Sequence, residues 1–176
     1  MRFFRYIAAL VVMALPVMAQ DTGLMAACAG GDTEACLQGT REAQAAGDNA
    51  LMLTFIRKGC ALENVISCSD LGMAYLVGLG VEKDVEKAKP YVQNGCKKGY
   101  YRACANLGWM HYTGTGFPQS SEKALGYYKQ GCEGGSGSAC GNLGKMYLAG
   151  DGVAANEATA DRYFDKACDL GVYMAC

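Results

Sequence analysis

Cys96-Lys-Lys-Gly-Tyr-Tyr-Arg-Ala-Cys104 places two cysteines eight apart with a glycine between them. The spacing returns at Cys28 and Cys36, Cys60 and Cys68, Cys132 and Cys140, and Cys168 and Cys176, which uses all ten cysteines of the chain. Within one straight helix, residues eight apart lie about 12 Å apart along the axis. A disulfide needs its Cα atoms within about 7 Å. Bridging the pair therefore requires a corner. One helix ends at the first cysteine, a glycine three residues on (Gly31, Gly99, Gly135, Gly171) supplies a left-handed stop, and a second helix folds back. Five nearest-neighbour bridges are expected, each closing a loop of about nine residues and worth roughly 2.5 kcal/mol in the chain-entropy account.

The first cysteines of the last four pairs, Cys60, Cys96, Cys132 and Cys168, stand 36 apart each time. A fixed period of this size is the mark of a solenoid of stacked supersecondary units. Aligning on it brings out Leu71-Gly72, Leu107-Gly108 and Leu143-Gly144. It also aligns Gly78, Gly114 and Gly150; Gly80, Gly116 and Gly152; and Ala88, Ala124 and Ala160. Phe55, Tyr91, Tyr127 and Tyr163 form an aromatic column. Asp48, Asp84, Ser120 and Asn156 form another, twelve residues before a cysteine. Those side chains share the ability to accept a hydrogen bond from the free N–H groups of a helix start. A helix B is expected from each cap to the next cysteine, and a helix A, for example 102–113, from the corner to the Gly-x-Gly turn. The fold class is all-α: an α/α superhelical solenoid of disulfide-stapled helix pairs.

The units run as an atypical first one at 28–59, full repeats at 60–95, 96–131 and 132–167, and a C-terminal half-unit at 168–176. The first lacks four residues between Cys36 and Asp48, where QGTREAQAAGDN replaces the Gly-x-Gly-Val turn. End units that cap a stack commonly depart from the pattern. Pro90 falls inside a helix B, where it should remove one backbone bond and kink the helix.

Arg2 and Arg5, a short apolar run over 7–17 and the small-residue site Val17-Met18-Ala19 read as a signal peptide, residues 1–19, cut after Ala19. The apolar run is well short of the ~20 residues of a membrane span. The mature chain, 20–176, is then expected in the periplasm or outside the cell, where paired cysteines oxidise. Loss of the two arginines takes the formal charge from −1 to −3, and no basic stripe remains for nucleic acid. Eight-residue cysteine spacing and a single histidine do not suit zinc. No metal or other cofactor is expected.

The columns spell Leu-Gly-x-x-Tyr…Gly-x-Gly-Val…Lys-Ala, best at 71–88 and 143–160. In 107–124, His111 and Phe117 replace Tyr and Val. This pattern resembles the Sel-1-like repeat, a relative of the tetratricopeptide repeat. The cysteine pair further resembles the cysteine-rich secreted subgroup, the Hcp proteins of Helicobacter type. The resemblance implies a superhelix whose concave face is lined by helices A, and a role as scaffold or adaptor for protein partners. The subgroup also implies an alternative, a weak β-lactamase or penicillin-binding protein.

A serine β-lactamase needs S-x-x-K, S-D-N and K-T-G. Ser120 to Lys123 fits the first formally, and Ser69-Asp70 is two thirds of the second. Ser120 already belongs to the helix-cap column, and no catalytic residue is assigned. His111 occupies the Tyr75 and Tyr147 column, a packing position between helices A and B. The expected binding groove is Asp70, Asn106 and Asn142, two residues after a second cysteine, with Met73, Trp109 and Lys145 three residues further on the same helical face. In tetratricopeptide repeats an Asn just before Leu-Gly bonds the backbone of an extended peptide. An Asn amide offers both donors and an acceptor, and Trp and Met are common anchors at binding surfaces. The expected partner of this monomer is thus a protein or extended peptide.

Overall fold

In a computed structural model, described over residues 18–172 and over side chains from 23 onward, each member of the cap column caps a helix. Asp48 accepts the Leu51 N–H at 2.9 Å, Asp84 that of Lys87 at 3.0 Å, Ser120 that of Lys123 at 3.2 Å and Asn156 that of Thr159 at 2.9 Å. The helices they start are α3 (Asn49–Ala61), α5 (Val85–Lys97), α7 (Ser121–Glu133) and α9 (Glu157–Asp169). With α1 (Met18–Ala29) they are the B helices. The A helices are α2 (Thr33–Ala46), α4 (Val65–Val77), α6 (Tyr101–Thr113) and α8 (Gly137–Ala149). Each A helix ends on a left-handed glycine, Gly47, Gly78, Gly114 or Gly150.

The corner after each B helix is where the cysteines meet. Cys28–Cys36, Cys60–Cys68, Cys96–Cys104 and Cys132–Cys140 are bridged, with Cα atoms 4.8, 4.4, 4.6 and 4.6 Å apart. Cys168 is also disulfide-bonded. Its expected partner Cys176 lies outside the described residues, as does the expected signal peptide except for Met18 and Ala19. Four of the corners carry a positive-φ glycine, and the fifth carries Glu63 at φ 59°, the one non-glycine residue so placed among the described residues.

The first unit departs differently from expectation. QGTREAQAAGDN is mostly helix, not a replacement turn: α2 continues to Ala46, and Gly47 alone links it to the cap Asp48. The missing four residues are those of the inter-helix turn. Helix α5 stays helical across Pro90. The Pro90 residue itself is exposed.

Hydrophobic burial is divided into slices, each shared by consecutive helices. One gathers Ala43, Met52, Ile56 and Leu71, the next Leu76, Val92, Leu107 and Met110, the next Leu125, Tyr128, Leu143 and Met146. Such a stack is held by neighbour-to-neighbour packing alone.

Two glycines of α7 predict opposite outcomes. A Cβ at Gly126 would meet nothing within 4 Å, whereas one at Gly131 would sit 2.8 Å from Ala139 Cβ and 3.2 Å from the Tyr101 carbonyl oxygen. Gly126→Ala should therefore stabilise by about 0.5–1 kcal/mol through helix propensity. Gly131→Ala should destabilise by about 1–3 kcal/mol, because it forces α7 and α8 apart at the corner. Denaturant unfolding of the two variants checks both signs.

Candidate functional site

The A helices present two hollows in the same register, two repeats apart. Between α2 and α4 lies one of about 150 Å³, lined by Thr40, Gln44, Met52, Ile56, Asp70, Met73, Ala74 and Leu79, with Arg102 of α6 at its edge. Between α6 and α8 lies one of about 230 Å³, lined by Trp109, Tyr112, Thr113, Tyr128, Asn142, Lys145 and Met146. Asp70 and Met73 of the first correspond to Asn142 and Lys145 of the second, at equal distances from their second cysteines.

The structure thus distributes the expected groove residues. Asp70 and Met73 enter one hollow, and Trp109, Asn142 and Lys145 meet in the other. Asn106 is half-buried on α6 and lines neither. Trp109 keeps 40% of its surface exposed.

Electrostatics differ between the two. Burial pushes the Asp70 carboxyl above its ordinary range, and the Arg102 guanidinium opposes that rise. In the second hollow one tyrosine hydroxyl is committed and the other tyrosine is buried. Tyr112 donates to Asp151 Oδ2 at 2.7 Å, which raises its pKa and ties α6 to the turn after α8. Tyr128 is buried, so its hydroxyl is held far above the ordinary tyrosine range, with the Asn142 amide opposing that rise.

Tyr112, Tyr128 and Arg102 are functional candidates that sequence reasoning missed. A tyrosine at 112 in the column of Leu76 and Leu148 was a usable signal. Tyr128 sits in the column of Val92 and Phe164 and reads as ordinary core.

His111 lies on the other side of α6. It is 6% exposed, with its ring stacked on Tyr127 (centroids 5.3 Å apart) and Phe117 (4.6 Å). The sibling repeats stack Tyr75 on Tyr91 and Tyr147 on Tyr163. His111 Nδ1 has no hydrogen-bond partner, and burial lowers the pKa against the opposing Pro118 backbone, with the Lys123 charge adding to the lowering. The ring is therefore neutral in the fold above pH 6.5. As pH falls below 6.5 the unfolded chain takes a proton that the folded chain refuses, so stability drops. One proton limits that loss to about 1.4 kcal/mol per pH unit. His111→Tyr, which restores the siblings' pair, should remove this part of the acid loss. Unfolding free energies at pH 7.5 and 5.5 for the two proteins test it.

Ser120 acts as a helix cap like its three column-mates, its hydroxyl accepting the Lys123 backbone N–H. Among the described residues, no helix is long and apolar enough to cross a membrane.

Stapled helix pairs repeating every 36 residues, stacked so that one helix of each pair builds a continuous face, define a repeat solenoid. Three copies of the Sel1 repeat model match it, over residues 65–100, 102–136 and 137–172. The chain belongs to the Sel1 repeat family. A Sel1 repeat protein from Oxalobacter formigenes superposes at a TM-score of 0.71 and 19% identity, over 82% of this chain and 61% of that one. A protective antigen of uropathogenic Escherichia coli strains displaying an SLR fold gives 0.73 at 25% identity, over 89% of this chain and 34% of that one. This chain therefore spans less than two thirds of either protein. The Helicobacter pylori cysteine rich protein B aligns at 24% identity over 90% of this chain and 91% of that one, at a TM-score of 0.32. No curated protein sequence matches the chain.

Proposed function

We propose that this protein is an exported scaffold that holds an extended segment of a partner protein on the concave face of its A helices. The observation that carries this reading is the half-exposed Trp109 at the mouth of a hollow shared by consecutive A helices. Sel1 repeats as a family serve protein–protein interaction, and four disulfides suit an oxidising compartment. A quasi-one-dimensional stack builds extended surfaces more readily than deep pockets.

The test is capture of the partner from the cell envelope, followed by titration with variants. Trp109→Ala should weaken binding by about 1–3 kcal/mol. It should change unfolding free energy by no more than about 0.5 kcal/mol, as exposed substitutions do. Asn106→Ala should weaken binding less. Partner binding that is indifferent to both variants sinks the reading. A loss of several kcal/mol of stability in Trp109→Ala would instead make it a packing residue.

A further inference from the structure

We infer that the segment bound here carries a carboxylate beside an apolar side chain, the apolar group seated in the Trp109 hollow and the carboxylate on Lys145. This rests on the reading of the A-helix face as the binding surface. The hollow offers ring faces and one charge. The hydroxyl of Tyr112 is taken by Asp151 and Tyr128 is only 2% exposed, so neither ring presents a free polar end. Trp109 and Met146 complete an apolar wall. Lys145 is exposed and has no ion pair among the described residues. Three aromatic rings alone would suit a cation. The Lys145 ammonium at the same hollow opposes one, and selects an anion next to an apolar group.

The twin hollow sets the length of the ligand. Neighbouring helices pack about 8–10 Å apart, so two A-helix spacings separate the hollows by roughly 20 Å. An extended chain covers that in about six residues at 3.3 Å each. At the far end Asp70, half-buried beside Arg102, is an acceptor for a backbone N–H of the same segment.

Trp109 is the single tryptophan of the chain, so its emission reports the hollow directly. The probes are two synthetic peptides of about fourteen residues, long enough to reach the twin hollow in either direction at about 3.3 Å per residue, identical except for a central Phe-Glu or Phe-Lys and titrated into the oxidised protein. The Phe-Glu peptide should shift Trp109 emission saturably and bind about tenfold tighter than Phe-Lys. Lys145→Glu should reverse that order while leaving the melting temperature in place. Equal binding of the two peptides, no response of Trp109, or an order unchanged by Lys145→Glu each overturns the inference. If the native partner still depends on Trp109 while the peptides show no charge preference, only this inference falls. If the native partner also ignores Trp109, the reading of the face falls with it.

Discussion

Replacing Cys132 and Cys140 together by alanine is expected to cost the oxidised protein about 2–5 kcal/mol, or roughly 5–15 °C in melting temperature. Both sulfurs are buried, at 1% and 0% exposure, and their bridge joins α7 to α8 at a corner in the middle of the stack. The bridge removes loop-closure entropy from the unfolded chain, and its loss also leaves the tight approach of Gly131 to Ala139 held by the glycine turn alone. Removing Cys28 and Cys36 should cost less. That bridge frees only the first pair of helices, and a stack of neighbour contacts frays from its ends. Urea unfolding of both variants without reductant distinguishes the cases. A loss under about 1 kcal/mol at Cys132–Cys140 would mean that caps and turns, not sulfur, set the corners.

Corners and caps were legible because their chemistry is local. A side chain that accepts a bond from the N–H three residues on acts within its own helix start, whatever the rest of the molecule does. That is why Asp, Ser and Asn could be read as one column and now hold the same place at Asp48, Asp84, Ser120 and Asn156. Glu63 marks where the local code is incomplete. Its corner adopts the left-handed turn without glycine, because the Cys60–Cys68 bridge and the Asn64 cap on the Ser67 N–H impose the geometry from both sides. The first unit was misread for a related reason. A shortened link is compatible with either a new turn or a longer helix, and only the packing of α2 on α3 decides for the helix.

The site was legible along each helix and not between helices. Spacing of three residues correctly puts Asn142 and Lys145 on one face of α8. It says nothing of Tyr128, which reaches the same hollow from a B helix, nor of Arg102, which comes from the next repeat to the edge of the Asp70 hollow. Those meetings depend on helix offset, which side-chain volume sets across the junction. Asn106, in the same column, is half-buried on α6 and lines neither hollow.

Tyr128 is where core and site meet, and its truncation should have the largest effect of any single substitution near the hollow. The ring is 2% exposed, and α6 passes so close that a Cβ on Gly108 would stand 2.7 Å from Tyr128 Cδ1. Helix α6 cannot settle into the space left by Tyr128→Ala without losing its seat on α8, so the cavity persists. The expected cost is about 3–5 kcal/mol, the range for deleting a buried aromatic ring. Tyr128→Phe keeps the ring and removes only the hydroxyl, which should cost about 1 kcal/mol. Asn142→Ala removes the amide that opposes the rise in the Tyr128 pKa and should cost about 1 kcal/mol. A hydrogen bond between the two side chains predicts that combining the changes costs less than the sum of the two. Strict additivity in that cycle would separate the two residues energetically. Asn142 would then be free to serve a bound peptide. A coupled result would instead make Asn142 the strut that holds Tyr128 in the wall of the Trp109 hollow.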